Sequence, residues 1–214
     1  MRALLALDEP NDLADSPASA AARAEPDPDR PLVDQFLAGD RAAFDTLVRR
    51  YQQPIFYLCL RYVKGDADAM DVSQKVFVRA FQSLARFRGD ARFRTWLYRI
   101  AINMSLNYLR DNARERPTDL STDAPPDAAL VRRATGPMRI IGDEESERLR
   151  EAVAELPPKQ RMVLELRIYD ELPFREVAEL ANCSENSAKV SFHHAVKKLR
   201  AMLAPQGDGK KDER

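Results

Sequence analysis

The chain has 214 residues, and its 34 basic and 34 acidic side chains cancel in the formal net charge. This length allows one or two small domains, and a hydrophobic content of 44% is enough for buried cores. No stretch approaches the roughly 20 apolar residues that a membrane-spanning helix needs, so direct membrane insertion is not expected. Two cysteines, Cys59 and Cys183, are too few for a disulfide framework, and their scarcity favours a reducing, cytoplasmic location.

The first 30 residues are rich in Ala, Pro and Asp, and we predict a disordered N-terminal tail over residues 1–30. A helical pattern begins at residue 31. Asp40 is placed to cap a helix, and apolar residues then recur at helical spacing as far as Tyr51. Pro54 is expected to start or kink a further helical run. We assign residues 31–112 to a first helical domain.

A second strong helical pattern covers residues 66–85, and its acidic first turns favour the positive end of the helix dipole. The side chains expected to line its apolar side are Met70, Gln74, Phe77, Phe81 and Leu84. Gln74 is therefore expected at the border of the buried face, where an amide needs a hydrogen-bond partner.

Residues 87–110 combine five aromatic side chains with an arginine-rich stretch. Thr95 is a plausible N-cap for a helix that runs from Trp96 to about Arg110. At 100° per residue, two sides of this helix are apolar, and the remaining polar stripe consists of Trp96, Arg99, Asn103, Asn107 and Arg110. Arginines bind phosphates, aromatic rings stack on unpaired bases, and asparagine recognises base edges. A solvated face with a half-buried Trp96 is the alternative interpretation.

Residues 113–143 lose all periodicity, and we predict a flexible linker there. A second helical domain covers residues 144–203 and is followed by a disordered tail over residues 204–214. Near its end come a short helix, a tight turn at Asn182 and a longer basic helix that Ser184 can cap. This order is the helix-turn-helix pattern. The predicted fold is therefore all-α, with two small helical domains joined by a flexible linker.

The last helix carries the candidate DNA contacts of the second domain. The side chains at its N-terminal end or projecting from its core face are Asn186, Ser187, Lys189, Val190, His193, His194 and Lys197. In a helix-turn-helix, the N-terminal part of this helix enters the major groove. An ordinary amphipathic hairpin with a solvated basic face is the alternative. Adjacent histidines do not have the i, i+4 spacing of a metal pair, so we predict no metal site, and no motif indicates a cofactor or catalysis.

Three motifs together resemble the bacterial sigma factors of the extracytoplasmic-function class. They are DAMDVSQKVFVRAF at residues 68–81, FRGDARFRTWLYRIAINMSLNYLR at residues 87–110, and LPPKQRMVLELRIYDELPFREVAEL at residues 156–180 with the basic helix after it. The resemblance covers about residues 32–112 and 144–203. It implies a protein that binds core RNA polymerase, directs promoter-specific transcription initiation and assists strand opening. Promoter DNA and an anti-sigma factor are the further partners that it implies.

The resemblance also implies roles for single residues. The polymerase-docking positions are Asp71, Gln74 and Lys75, and Lys75 stands where the family usually has an acid. The positions for the −10 element are Phe87, Arg88, Ile100 and Asn103 in a base-capturing pocket, with Trp96, Tyr98 and Arg99 associated with strand opening. Lys189 matches a basic position for the −35 element, although this helix is poorer in arginine than is common in the family.

Two other functions are compatible with the same residues. A stand-alone helix-turn-helix regulator would bind duplex DNA without polymerase and would show no preference for single strands. An interaction protein that antagonises another sigma factor would leave the polar stripe without a function.

Overall fold

The computed structural model describes residues 26–63, 65–115 and 144–204. Within these ranges the chain forms eight α-helices and no strand, as predicted. The first domain contains α1 (Arg30–Leu37), α2 (Arg41–Tyr62), α3 (Asp66–Ser83) and α4 (Phe93–Glu115), with a 3-10 turn at Leu84–Arg86. The second contains α5 (Glu144–Ala154), α6 (Pro158–Ile168), α7 (Phe174–Leu180) and α8 (Glu185–Leu203). The predictions for residues 1–25, 116–143 and 205–214 lie outside the described residues.

Helix α2 is the central element of the first domain. The Asp40 carboxylate accepts a hydrogen bond from the Ala42 amide at 2.9 Å, which confirms the predicted cap. The helix continues through Pro54, so this proline does not start a new helix. Tyr51 and Ile55, on either side of it, are buried and hold the chain in one element. Cys59 is also fully buried, and burial raises the pKa of its thiol to about 11.

The buried face of α3 differs from the predicted one. Its small residues Ala69, Val72, Val76 and Ala80 are buried, whereas Met70 is 55% exposed. Phe81 and Gln74 are exposed as well, so the predicted place of Gln74 at a buried border is wrong. Small side chains allow α3 to approach its neighbouring helices closely. Of the larger predicted residues, Leu84 is fully buried and Phe77 is half-buried against the core, as predicted.

Helix α4 begins at Phe93, three residues earlier than predicted. The Phe93 amide donates a hydrogen bond to the Asp27 carboxylate at 2.7 Å. The acceptor for this first N–H group of the helix therefore comes from a distant part of the chain. Thr95 is completely buried inside the first turn, and its proposed role as N-cap is wrong. Asp29 is also buried, and it accepts hydrogen bonds from Arg50 and Tyr51. Residues 26–30, which we assigned to the tail, therefore contain two side chains that contact this domain.

The second domain has the predicted helix-turn-helix. Asn182 adopts a positive φ of 48° in the turn between α7 and α8, a conformation that asparagine tolerates well. The Ser184 hydroxyl accepts a hydrogen bond from the Ser187 amide at 3.1 Å, which confirms the cap of α8. Buried residues of α6, α7 and α8 continue the apolar cluster of the first domain, so the two domains are packed against each other.

Candidate nucleic-acid interface

Three aromatic rings pack together where α4 begins. The Trp96 ring lies with its centroid 5.3 Å from that of Phe87 and 5.7 Å from that of Phe93. Phe93 is fully buried, whereas Phe87 and Trp96 are half-buried. The cluster thus anchors the loop between α3 and α4 and leaves part of two aromatic rings accessible for stacking.

The predicted polar stripe of α4 lies on the surface of the first domain. Arg99, Asn103 and Asn107 are exposed, and Ile100 beside them is half-buried. The Arg110 guanidinium donates a hydrogen bond to the Asn107 side-chain oxygen at 3.1 Å. Two turns of α4 therefore present amide and guanidinium groups to solvent.

Arg88 lies at the exposed end of the loop that leads into α4. Gly89 follows it with a positive φ of 78°, which only glycine adopts without strain. Arg88 directly follows the half-buried Phe87, so an exposed cationic side chain and a partly accessible aromatic ring are consecutive in the chain.

Tyr98 is buried, unlike the other residues predicted for the −10 element. It is 3% exposed, and its hydroxyl donates a hydrogen bond to the Asp170 carboxylate of the second domain at 3.2 Å. Burial raises the pKa of Tyr98 well above its usual range, and the negative charge of Asp170 adds to that increase. In this arrangement Tyr98 contacts the second domain.

Arg92, just before α4, and Arg94, in its first turn, contact an acid that the sequence patterns did not indicate. Glu176 of α7 is buried and forms ion pairs with Arg92 at 3.3 Å and Arg94 at 3.2 Å. The Thr95 hydroxyl donates a third hydrogen bond to the same carboxylate at 2.9 Å. No local pattern in the sequence connects residues that are more than 80 positions apart.

A second group of charges lies at the domain boundary. Arg61 at the end of α2 forms an almost fully buried ion pair with Asp170. Burial would lower the pKa of Arg61, but Asp170 and Glu165 outweigh this effect and raise it. Burial also raises the pKa of Glu165 to about 7, although Arg61 and Arg161 oppose that increase.

The residues predicted to dock on polymerase share the exposed face of α3. Asp71, Gln74 and Lys75 are all exposed, and the Lys75 ammonium forms an ion pair with Asp71 at 2.6 Å. Met70 and Val78 are 55% and 57% exposed on the same helix. The charges of Asp71 and Lys75 therefore neutralise each other within this face.

Helix α8 presents most of its predicted contact residues to solvent. The exposed ones are Asn186, Val190, His193, His194 and Lys197, while Ser187 and Lys189 are half-buried. Lys189 forms an ion pair with Glu185 at 3.0 Å, one turn before it. In the described part of the chain, no group of three or more His, Cys, Asp or Glu side chains is arranged to hold a metal ion.

Comparison with known proteins agrees with this arrangement of two domains. The sigma-70 region 2 family matches residues 47–115, and the sigma-70 region 4 family matches residues 146–199. The ECF RNA polymerase sigma-E factor of Escherichia coli strain K12 is 35% identical over 185 residues, which cover 83% of this chain and 95% of the relative. The chain belongs to the extracytoplasmic-function sigma factors.

Other comparisons support the same family. The RNA polymerase sigma-H factor of Pseudomonas aeruginosa is 33% identical over 183 residues, covering 83% of this sigma factor and 94% of the relative. The solved structure of CnrH in complex with the cytosolic domain of CnrY is 26% identical, with a TM-score of 0.59 over 82% of this chain and 96% of that one. A match to region 2 as well as region 4 does not favour a stand-alone helix-turn-helix regulator. Among the described helices, none is long and apolar enough to cross a membrane.

Proposed function

We propose that this sigma factor docks on core RNA polymerase through the exposed face of α3. Two apolar side chains, Met70 and Val78, are more than half exposed there, and neighbouring exposed apolar groups are typical of protein–protein contact sites. Asp71, Gln74 and Lys75 supply the polar contacts around them. Because Lys75 already pairs with Asp71, this face offers polymerase a neutral pair where relatives usually present an additional acid.

The polar stripe of α4 binds the −10 element as an unpaired strand. Asn103, Arg99 and the half-buried Ile100 form one side of the pocket, and Phe87 with Arg88 forms the other. Removing a base from the stack costs a few kcal/mol. Stacking on an aromatic ring returns about 1–3 kcal/mol per base, so the half-buried Phe87 and Trp96 offset much of that cost. The observation that carries this proposal is the exposed stripe on a helix whose other sides are buried.

Helix α8 binds the −35 element in the major groove of duplex DNA. Asn186 and Val190 at its N-terminal half are exposed and close to where base edges would lie. Lys197, also exposed, is two turns further along and suits a phosphate. With few arginines on this helix, amide and apolar contacts carry more of the base recognition.

A protein antagonist is a further proposed partner. CnrH, which is similar to this chain over most of its length, was solved in complex with the cytosolic domain of CnrY. We expect this sigma factor to be cytoplasmic and to be bound by a comparable partner, which would act as its anti-sigma factor. The sigma factor itself is expected to catalyse no covalent reaction.

The test is transcription from a genomic promoter library by core polymerase with and without this protein. New start sites that share −10 and −35 sequences are the expected result. Their absence, with a known sigma factor active in the same assay, would overturn the proposed function.

A further inference from the structure

The Glu176 site, formed by Arg92, Arg94 and Thr95 around the Glu176 carboxylate, has the composition of a phosphate site. Two guanidinium groups and one hydroxyl surround a single anion, at distances of 3.3, 3.2 and 2.9 Å. Arginine pairs bind carboxylates and phosphate oxygens with the same geometry. The first domain therefore supplies every donor, and the second domain supplies the anion.

The position of this site links it to the promoter strand. In the chain, Arg92 and Arg94 lie between the exposed Arg88 and the polar stripe of α4, and their side chains remain 27% and 29% exposed. Burial raises the pKa of Glu179, one turn after Glu176 on α7, and the positive charges of Arg175 and Arg99 oppose that rise. Acids of α7 thus approach both the loop and the stripe.

We propose that Arg92, Arg94 and Thr95 bind a backbone phosphate of the single-stranded −10 element, and that Glu176 occupies this site while the two domains are packed together. The inference rests on the proposed function. Binding of the strand then requires α7 to move away, and exchange of one anion for another keeps the same donors satisfied. Packing of the domains consequently restrains the free protein from binding DNA.

The second contact between the domains acts in the same direction. Asp170 accepts hydrogen bonds from Arg61 and Tyr98, so it holds the segment before α7 against α2 and α4. When the domains separate, both carboxylates return to water and the cationic side chains become available. Neutralising either acid favours the separated state.

The experiment measures the affinity of the full-length protein, without polymerase, for a fluorescein-labelled random-sequence single-stranded DNA 12-mer by fluorescence anisotropy. Glu176→Gln keeps the size of the side chain and removes its charge, and Asp170→Asn does the same at the second contact. We expect each to tighten binding by roughly three- to tenfold, as a loss of about 1 kcal/mol of closing energy implies. Glu171→Gln removes the same charge from an exposed side chain nearby and is the matched control.

A double variant tests whether Arg94 binds the phosphate. Arg94→Gln added to Glu176→Gln is expected to remove the gain in affinity, with circular dichroism confirming equal helix content. Unchanged binding in both acid variants, or a gain that persists without Arg94, or an equal gain in Glu171→Gln, would overturn the inference. These results are distinguishable from failure of the proposed function, because that failure is the absence of new start sites with the parent protein.

Discussion

Arg61 and Asp170 form an ion pair that joins the two domains and is almost completely removed from solvent. Charges buried in this way are costly unless each has a partner, and Tyr98 adds a hydrogen bond to the same carboxylate. Glu165 lies in the same group of charges, close to Arg61, Arg161 and Asp170. The packing of this sigma factor is therefore coupled to the ionisation of a few buried side chains.

The buried carboxyl of Glu165 makes stability depend on pH. Its pKa rises from a usual value of 4.5 to about 7 in the folded protein, so the folded state holds this proton more tightly than the unfolded chain does. The contribution of Glu165 to the free energy of unfolding is fully present below pH 4.5 and is lost as the pH rises to about 7. The change is on the order of 3 kcal/mol. Urea unfolding between pH 5 and 8 should show this decline.

The variant Glu165→Gln should have a flatter profile over the same pH range, because it cannot ionise. Parallel profiles for parent and variant would show that Glu165 does not titrate there. Glu171→Gln, at an exposed position, is the control and should follow the parent.

The Asp29 carboxylate should be necessary for the stability of the first domain. It is 1% exposed and accepts hydrogen bonds from Arg50 and Tyr51. Asp29→Ala leaves the buried Tyr51 hydroxyl without this acceptor, and we expect a loss of roughly 2 kcal/mol in the free energy of unfolding. Asp34→Ala, which removes an exposed ion pair with Arg30, should cost less than about 0.5 kcal/mol. Equal losses in urea unfolding would contradict the structural role of Asp29.

Asn103 should affect promoter choice and leave polymerase binding intact. Its amide is exposed on the polar stripe of α4, so Asn103→Ala removes base contacts without disturbing the core. We expect reduced discrimination among −10 sequences in library transcription, by roughly fivefold at the recognised base. Gln53→Ala, at an exposed position of α2 outside the polar stripe, is the control for loss of an exposed amide. Identical start-site profiles for Asn103→Ala and the parent would count against the pocket.

Lys75 should influence affinity for core polymerase through its pair with Asp71. The hydrogen bond to Asp71 raises the pKa of Lys75, which keeps the ammonium charged. Lys75→Glu breaks the pair and supplies the acid that relatives usually have at this docking position, and we expect tighter binding to core polymerase by about threefold or more. The charge reversal Arg49→Glu, at an exposed position of α2, should leave the affinity unchanged. Unchanged affinity in Lys75→Glu would place this residue outside the contact.

Helical periodicity predicted the exposed side of α4 correctly but not that of α3. The spacing of Arg99, Asn103 and Asn107 predicted one exposed side on α4, and the structure confirms it. The same argument failed on α3, where Met70 and Phe81 were expected to line a buried side and are exposed. Periodicity shows that apolar residues share a side, but it does not show whether a neighbouring helix or an external partner covers that side.

The sequence by itself determined the all-helical fold, the helix-turn-helix with its Asn182 turn and Ser184 cap, and the motifs of the sigma factor family, because these depend on residues close together in the chain. Only the tertiary structure decided that Asp27 contacts the start of α4, that Tyr98 is buried, and that Glu176 forms ion pairs with the arginines beside the polar stripe. These contacts join residues that are 66 to 84 positions apart, and no local spacing determines which distant charges meet. Burial of a charge depends on the packing of two domains, which is decided only when the whole chain has folded.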